Sequence, residues 1–543
     1  MPIYKSFLDS FVYVYIHNHF QMEMPFMFGN LEDTPSDRLY GHWWLPNFGY
    51  IKSRRSYNQT IQSRYINSCM LQEVISKNKL TLVFQNSERM RTGKFYRRTV
   101  PDLSIEWLAD FVRNKPALAE SCFIVPVMIS YDRIFETSNL TSEMVKGKGS
   151  QLQSIEYLKQ LYHYRNEQLG EVFVKYLEPM NLYEQIRKPR SPDPVADLSH
   201  NLYWIQQKAT PVTLNSIVAS FLLQERSEKL AVSDMLQRCV MFYTYLKSKK
   251  RAITFMQLAP QQPLVEKHTT HLGFKVSNAG KKTATIHLDA KNQLDYRLML
   301  SLAHYSLRLS TIFVNESCFA YVLFVHYHIK CQETPIHLKD LLAKGMTLVE
   351  LFRNEHVLES KVDVADFSTK MNLISENEIV SLNKHTQEVT LCNTNNHSHI
   401  LDLFVQMCQV FLDTYTVVCM MIEQVCGTNL QLKQKAITKE LHSAIRHLYS
   451  DRVIPHLHSC LSEIITTALL RFEQMGLIDI TGFNDKEGVR TNFLASSEDK
   501  RGKVMETLHM LKDFRQFSAR DIKSILEEIT SATRRSQDVT QGF

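Results

Sequence analysis

Paired cysteines are missing from this sequence. Its ten cysteines are scattered, and none forms a C-x-x-C motif or another spacing typical of metal ligands. This pattern argues against a structural zinc site and against a disulfide framework, and it favours a reducing compartment. We therefore expect an intracellular protein that holds no metal ion.

Segments that would carry the chain into or across a membrane are also missing. The first residues, MPIYKSFLDSFVYVYIHNHF, have no basic stretch followed by an apolar core, so we expect no secretory signal. No apolar run reaches the roughly 18 residues of a membrane span. The longest candidate, residues 401–425, is broken by Asp402, Asp413 and Glu423 and predicts a long amphipathic helix instead. The last three residues, QGF, are not a peroxisomal tripeptide. We expect no transmembrane helix, and any membrane association is expected to be peripheral.

Glycine and proline are sparse, at 16 each in 543 residues, and apolar residues make up 44% of the chain. This composition is typical of a globular protein rather than a disordered one. The length exceeds what one hydrophobic core supports, so we expect about two to four domains. The net charge of +7 is a mild bias that suits an acidic membrane surface or phosphorylated small molecules as much as nucleic acid.

Residues 1–186 alternate short β-rich runs with amphipathic helical segments. The runs are TLVF (81–84), CFIVPVMI (122–129) and VFVKY (172–176), and helical segments lie at 61–77 and 103–114. Such alternation predicts an α/β domain in which a mixed sheet is flanked by helices.

Beyond this domain the pattern becomes mainly helical. Residues 187–201, with three closely spaced prolines, predict a linker. The predicted regions that follow are a helical region at 202–375, a polar break at 376–398, a second helical region at 399–530 and a flexible tail at 531–543.

Cationic side chains recur in the first domain, beside short apolar runs. They are Arg54 and Arg55 in LPNFGYIKSRRSY, and Arg89, Arg91 and Lys94 in VFQNSERMRTGKFYRR. Arginine pairs at strand ends can bind a phosphate bidentately. A third segment, IVPVMISYDRIFE, contains Pro126 within a strand-like run. Taken singly, each segment is a weak signal, and for Arg54 and Arg55 alone a solvated turn is the favoured interpretation.

In this order and at these separations, the segments resemble the glycerol-3-phosphate and dihydroxyacetone-phosphate acyltransferase family. Residues 47–55 (NFGYIKSRR) resemble its G-x-F-x-R-R block, and residues 84–94 resemble its F-P-E-G-T-R-S-R-T-G-K block. Residues 125–136 (VPVMISYDRIFE) match its V-P-I-x-I-S-Y-D-R-I-x-E block almost completely. The helical second half is most similar to the dihydroxyacetone-phosphate branch.

The resemblance implies acyl transfer from acyl-CoA to the sn-1 hydroxyl of a phosphorylated three-carbon acceptor, in glycerophospholipid or ether-lipid synthesis. It implies no cofactor, since acyl-CoA is a substrate, and peripheral binding to the mitochondrial outer membrane, the peroxisome or the endoplasmic reticulum. A partner enzyme of lipid synthesis is a further expectation. The implied phosphate-binding residues are Arg54, Arg55, Arg89, Arg91 and Lys94, and the implied structural or acyl-site residues are Gly49 and Pro126.

The family's first block, H-x-x-x-x-D, falls at residues 4–9. In the family the His removes the substrate hydroxyl proton and the Asp holds the His ring. Here Asp9 is present, but Tyr4 occupies the base position, and a phenol is almost wholly protonated at neutral pH. The phosphate block also departs from the family, because the expected Glu-Gly-Thr reads Asn86-Ser87-Glu88.

No other histidine is expected to replace the missing base. His17 and His19 lie too far along the predicted first helix, and nothing places His42. The one H-x-x-x-x-D motif, from His397 to Asp402, lies outside the order of the family's blocks. Family members carry a helical segment before the first block, so we expect that this segment has been lost or that the true start lies upstream of Met1.

Two interpretations remain open. The first is an acyltransferase whose activity is impaired by Tyr4. The second is a catalytically silent relative that binds a phosphorylated ligand, acyl-CoA or an active partner. The groups that bind an anion remain while those that handle a proton have gone, and this favours the second. Nucleic-acid binding is not expected, because the cations are few and no binding module accompanies them.

Overall fold

A computed structural model describes the protein. The described residues are 1–29 (except 4 and 7), 49–52, 61–85, 90, 92, 94, 103–146 (except 135), 162, 169–188, 192–225, 227–254, 259–288, 295–358, 379–392 (except 384), 395–425, 432–484, 490–495, 498–515 and 521. The chain divides into two compact units. Unit 1 comprises residues 1–140 and 148–211, and unit 2 comprises residues 141–147 and 212–543.

Unit 1 is a mixed α/β structure, as the sequence predicts. Its described strands are β1 (Phe26–Gly29), β2 (Tyr50–Lys52), β3 (Thr81–Val83), β4 (Phe123–Ile124), β5 (Val127–Tyr131), β6 (Val172–Tyr176) and β7 (Met180–Asn181). Its described helices are α1 (Asp9–His19), α2 (Ile61–Ser76), α3 (Leu103–Asn114), α4 (Pro116–Ala119), α5 (Thr137–Lys146, which continues into unit 2), α6 (Leu182–Arg187) and α7 (Pro194–Ala209).

The strands of unit 1 combine parallel and antiparallel pairing. Strand β1 lies between β2 and β3 and is parallel to both, whereas the β5–β6 and β4–β7 pairs are antiparallel. The first residues join the two groups. The Gln85 amide donates to the Pro2 carbonyl at 2.8 Å, and the Val127 amide donates to the Met1 carbonyl at 3.1 Å. Residues 1–3 therefore bridge the end of β3 and the start of β5.

The two faces of this sheet have separate apolar cores, because successive side chains of a strand point to opposite faces. On one face Met27 and Leu82 pack with Tyr13 of α1. On the other, Phe28 and Val83 pack with residues of α2, α3, α6 and α7. Helix α1 and helix α2 thus cover opposite faces of the sheet.

The segment predicted as a linker, residues 187–201, contains the end of α6 and the first half of α7. Asp193 caps α7 by accepting hydrogen bonds from the amides of Val195 and Ala196 at 3.0 and 3.1 Å. Pro194 occupies the first helical turn, where its missing N–H costs nothing. The prolines of this segment suggest an extended linker, but Pro194 lies in the first turn of α7. Leu198 and Leu202 of α7 are buried in unit 1.

Unit 2 is mainly helical. Its described helices are α8 (Leu214–Gln224), α9 (Val232–Ser248), α10 (Gln262–His271), α11 (Tyr296–Ile312), α12 (Val314–Phe324), α13 (Leu338–Leu351), α14 (Asn395–Val425), α15 (Gln434–Ser450), α16 (Ser462–Gln474) and α17 (Arg501–Phe514). A π-helical turn at Val325–Ile329 follows α12, and short 3-10 helices lie at Leu457–Cys460 and Glu498–Lys500.

Three small antiparallel sheets accompany these helices. Their described strands are β8 (Lys229–Ala231), β9 (Lys275–Ser277), β10 (Thr285–His287), β11 (Ile336–His337), β12 (Val380–Asn383), β13 (Glu388–Leu391), β14 (Leu432–Lys433), β15 (Asp479–Asn484) and β16 (Arg490–Ala495). The strand orders are β8-β10-β9, β11-β13-β12 and β14-β16-β15.

Helix α14 lies at the centre of unit 2. Within the described part of the chain, its segment His399–Gln424 is the one single helix long and apolar enough to cross a membrane, and α11 with α12–Ile329 qualifies only as a pair bent by 93°. In His399–Gln424, 89% of the apolar window is buried inside the protein itself. Its apolar character is therefore that of a core helix.

Candidate active site

Asp9 stands at the first turn of α1 with its side chain fully buried. One carboxylate oxygen, Oδ2, accepts hydrogen bonds from the backbone amides of Lys5 at 2.6 Å and Ser6 at 3.1 Å. The other oxygen, Oδ1, accepts a bond from the Tyr131 hydroxyl at the end of β5. Asp9 thus closes the turn before α1 and ties it to the sheet.

A second buried carboxylate, Glu136, joins the same region through Ser6. The Ser6 hydroxyl lies 3.0 Å from both Glu136 carboxylate oxygens and donates to them. It also accepts the Leu8 amide at 3.1 Å. Asp9, Ser6, Tyr131 and Glu136 are all buried, and we refer to these four residues as the carboxylate cluster.

Burial dominates the electrostatics of the carboxylate cluster. It raises the pKa of Asp9 from 3.8 to about 7, against the lowering effect of the hydrogen bonds from Tyr131 and from the Lys5 and Ser6 amides. The negative charge of Glu136 adds a smaller upward contribution to that pKa. Burial and the charge of Asp9 also raise the pKa of Tyr131. Asp9 therefore exchanges its proton near neutral pH, whereas Tyr131 stays a neutral hydrogen-bond donor.

His17 is committed to a structural role, as its distance from the first block predicts. Its Nδ1 lies 2.8 Å from the Glu23 carbonyl, which fixes the proton on Nδ1. Its Nε2 then accepts from the Tyr176 hydroxyl at 3.2 Å. Eight helical residues separate it from Asp9, which corresponds to roughly 12 Å along the axis. His17 cannot serve as a base at the start of α1.

Tyr13 lies on the buried side of helix α1. The side chain is fully buried, and its hydroxyl has no hydrogen-bond partner among the described residues. Burial raises its pKa well above the ordinary value, with smaller contributions from Asp9 and Tyr176. The ring packs edge-on against Phe84 at 6.3 Å between centroids. Tyr13 contributes apolar packing and a neutral hydroxyl.

Most of the residues predicted to handle substrate lie outside the described residues. They are Tyr4, Arg54, Arg55, Arg89 and Arg91. Lys94 is described, and its side chain is fully buried and engaged in contacts within the protein. Its assignment as a phosphate ligand stays a prediction.

Gly49 and Pro126 shape the sheet. Gly49 adopts a φ of +73°, and its carbonyl accepts the Met27 amide at 3.0 Å at the turn into β2. Pro126 separates β4 from β5, and its carbonyl accepts the Leu177 amide at 2.9 Å. Because proline interrupts the pairing, β4 and β5 pair with different partners, β7 and β6.

Asp132 follows β5 directly and bonds to the residue that precedes β6. Its Oδ2 accepts the Glu171 amide at 3.1 Å. A Cβ placed on Gly170, whose φ is +84°, would lie 2.7 Å from the Asp132 Cβ. This close approach requires glycine at position 170. The Asp132 side chain therefore has a structural role.

The H-x-x-x-x-D motif at His397 and Asp402 lies on α14 in unit 2. The His397 side chain is outside the described residues. Burial raises the pKa of Asp402, while the neighbouring His399 lowers it. Asp402 therefore belongs to unit 2, whereas Asp9 belongs to unit 1.

Sequence reasoning identified Asp9 but assigned no role to Ser6, Tyr131 or Glu136. Tyr131 and Glu136 both belong to the SYDRIFE end of the third block. The signal was therefore in the sequence, since both are polar residues at the carboxyl end of a buried strand. Ser6 carried no signal, because its hydrogen bond to Glu136 spans 130 residues.

Comparison with known proteins points to one family. The model of the glycerol-3-phosphate acyltransferase C-terminal region matches residues 154–481, a range that begins after the cationic segments. The proteins named "Putative acyltransferase plsB1" of Mycobacterium bovis and of Mycobacterium tuberculosis strains CDC 1551 and H37Rv are each 23% identical over 263 residues. These alignments cover 46% of this chain and 40% of each relative, so the chain matches less than half the length of those proteins.

Proposed function

The chain belongs to the family of glycerol-3-phosphate acyltransferase C-terminal regions, and from this membership we propose that it acts in glycerolipid acyl transfer. In that reaction the thioester of acyl-CoA breaks and an ester forms with a hydroxyl of a phosphorylated three-carbon acceptor. The hydroxyl proton passes to a base, and the thiolate of CoA leaves. Glycerol 3-phosphate and dihydroxyacetone phosphate are the two acceptors we propose, with the acyl group placed on the sn-1 hydroxyl.

The proposed reaction is slow in this chain, and the Asp9 carboxylate is the observation that supports this. In the family's first block the Asp orients a base that lies five residues before it, at the start of the helix. Here its oxygens accept three bonds from the chain's own groups, and position 4 holds a tyrosine. Loss of a positioned base costs on the order of 10² to 10⁴ in rate. Positioning of the two substrates supplies what activity remains.

The test of this function is release of CoA by the purified full chain with acyl-CoA and each acceptor in turn. We expect turnover that is slow, depends on the acceptor and falls further in Arg89→Ala. Lys188→Ala, which removes an exposed cation, is the matched control and should leave the rate unchanged. Acceptor-independent CoA release would be hydrolysis and would contradict acyl transfer.

A second candidate function is binding without turnover, and the pattern of the motifs favours it. The cations survive, whereas the proton-handling His and the Glu-Gly-Thr turn do not. A silent relative would still be stabilised by glycerol 3-phosphate, through Arg89 and its neighbours, or would bind acyl-CoA or an active partner enzyme. Thermal stabilisation by glycerol 3-phosphate with no CoA release would favour this candidate. Absence of both effects would contradict both functions.

We further propose that the chain works at a membrane surface, as a peripheral protein. Its acyl substrates partition to bilayers, and its net charge of +7 suits anionic lipid. The mitochondrial outer membrane, the peroxisome and the endoplasmic reticulum remain the three candidate sites.

A further inference from the structure

Lys249 and Arg251 follow the end of helix α9 in a fixed turn. Lys250 adopts a left-handed φ of 52°, and its amide donates to the Lys247 carbonyl at 2.9 Å. The Arg251 amide donates to the Leu246 carbonyl at 3.1 Å. These two bonds form a Schellman motif, which ends the helix and fixes the direction of the chain. The turn therefore holds the backbone of both cationic residues in place.

These two cations differ in their partners. Lys249 Nζ lies 3.0 Å from Glu316 Oε1, and the two side chains are 8% and 9% exposed. Arg251 is partly buried, and its guanidinium forms no ion pair and no hydrogen bond with the described residues. Burial lowers the pKa of Arg251, while the charge of Glu316 raises it. Glu316 thus neutralises Lys249, and the charge of Arg251 remains in excess.

Tyr245, on the last turn but one of α9, carries a buried hydroxyl. Its ring packs against Phe242, Phe313 and Phe404, with centroids 6.1, 6.1 and 5.6 Å away. The side chain is 2% exposed, and its hydroxyl has no hydrogen-bond partner among the described residues. A phenylalanine would complete this aromatic cluster without burying a polar atom, which costs free energy when it stays unpaired.

The Tyr245 hydroxyl and Arg251 meet at the start of helix α12. Phe313, which packs on the Tyr245 ring, precedes this helix, and no side chain caps it. Glu316, in the first turn, is bonded to Lys249, whose Nζ lies 5.3 Å from the centre of the Tyr245 ring. Burial raises the pKa of Tyr245, and the charges of Glu316 and Arg251 act on it as well. The first amides of a helix also lack partners within it and attract an anion.

The dipole of α9 does not account for this arrangement. Cations stabilise the C-terminus of a helix, and the exposed Lys247 and Lys250 serve that purpose at the surface. Burial of Arg251 without a counter-ion, and of the Tyr245 hydroxyl without a partner, costs free energy that this role does not require. An acceptor placed between Arg251 and the first turn of α12 would satisfy both groups.

We propose that Arg251, the Tyr245 hydroxyl and the first turn of α12 form an anion site that takes a phosphate group. A phosphate has several acceptor oxygens, so it can accept from a guanidinium, a phenol and backbone amides together. All these residues belong to unit 2, whereas the cationic segments predicted from the sequence belong to unit 1. The proposal does not depend on acyl transfer and applies whether or not the chain turns over.

Amide hydrogen exchange of the full chain tests this site, with inorganic phosphate or with sodium chloride at equal ionic strength. We expect phosphate to slow exchange at residues 249–251 and 314–317 of the wild type. Arg251→Gln should raise the phosphate concentration needed for half-maximal protection about tenfold or more, because a hydrogen bond to a charged group is worth at least that factor. Arg251→Lys, which keeps the charge, should retain part of the binding.

Tyr245→Phe separates a ligand-binding role from a structural one. It should weaken phosphate protection about tenfold. The stability of the phosphate-free protein should not fall, because no hydrogen bond of the hydroxyl is lost there. If Arg251→Gln does not fold, this variant decides alone, and unchanged protection in Tyr245→Phe would overturn the proposal.

Lys250→Gln is the matched control, because it removes an exposed cation next to Arg251 and should leave the protection unchanged. Absence of protection in the wild type, equal protection in Arg251→Gln, or equal loss in Lys250→Gln would overturn the proposal. Arg89→Ala should keep the protection, and its loss there would contradict a site formed by unit 2. Glycerol 3-phosphate and CoA then replace inorganic phosphate, and protection by either at a lower concentration would support the site and identify the source of the phosphate.

Discussion

At the scale of single residues, Asp9 shows how burial changes the chemistry of a carboxylate. The carboxylate is fully buried and bonded to two amides and a phenol, yet its pKa rises to about 7. In the family's first block such an aspartate would hold an imidazolium. Without that cation, burial disfavours the charged form of the Asp9 carboxylate. Its hydrogen bonds to the Lys5 and Ser6 amides and to the Tyr131 hydroxyl then stabilise the fold.

This pKa predicts how unit 1 responds to pH. The folded-state pKa of about 7 exceeds the ordinary 3.8, so the folded state binds the proton more tightly than the unfolded state. The stability contributed by protonated Asp9 is therefore fully present below about pH 4 and is lost as pH rises to about 7, at on the order of 1.4 kcal/mol per pH unit. Asp9→Asn should remove this slope from the free energy of unfolding.

The measurement is urea unfolding followed by tryptophan emission at several pH values. All four tryptophans, Trp43, Trp44, Trp107 and Trp204, belong to unit 1, so their emission reports that unit. Asp110→Asn, which changes an exposed carboxylate on α3, is the control and should follow the wild type. Parallel pH profiles for Asp9→Asn and the wild type would show that Asp9 does not titrate in this range.

At the scale of elements, the close approach between the end of β5 and the start of β6 depends on one glycine. Gly170→Ala should destabilise this pair by about 1–3 kcal/mol, because alanine meets both a positive φ and a 2.7 Å contact with the Asp132 Cβ. Hydrogen exchange of the β5 and β6 amides measures the effect, and exchange of the β9 and β10 amides measures that of the control below. Gly280→Ala has a similar φ of +77° but nothing within 4 Å, so it should cost only the backbone strain. Equal losses at the two sites would mean that the contact is relieved at no cost.

Helices α14 and α17 are joined by a buried ion pair. Arg515 Nε lies 2.5 Å from Asp413 Oδ1, and its guanidinium also donates to the Val453 carbonyl at 3.0 Å. Arg515→Leu should cost about 3–5 kcal/mol, because it leaves a buried carboxylate without its cation. Asp413→Leu/Arg515→Leu should cost less than the single change.

Amide exchange along α14 measures both variants of this pair. Arg353→Leu, which breaks an exposed pair with Glu350, is the control and should cost less than about 1 kcal/mol. A double variant as unstable as Arg515→Leu alone would show that the loss comes from packing rather than from the stranded charge.

Elements with a strong periodic pattern could be predicted from the sequence, and those decided by local caps or distant contacts could not. The runs at 103–114 and 172–176 coincide with α3 and β6, since apolar spacing determines both. The run at 122–129 is divided at Pro126, and the predicted linker begins a helix because Asp193 caps it. In the candidate site, Asp9 followed from the motif, whereas Ser6 meets Glu136 only through the fold.

At the scale of the whole molecule, the family match and the motifs cover different parts of the chain. The matched range, 154–481, consists largely of unit 2, while Asp9 and the cationic segments lie before it in unit 1. Unit 2 has a continuous apolar core built around α14. The family match therefore rests mainly on the helical region, and the resemblance of the α/β unit to the family's motifs stays a prediction.

Turnover of Tyr4→His relative to the wild type tests this account most directly. CoA release is followed with acyl-CoA and saturating glycerol 3-phosphate or dihydroxyacetone phosphate, with Tyr4→Phe as the matched control. Because histidine restores the base of the H-x-x-x-x-D motif that ends at Asp9, we predict a gain in kcat of about 10²-fold or more, and no change for Tyr4→Phe. Wild-type turnover equal to that of Tyr4→His, or its loss in Tyr4→Phe, would contradict the account.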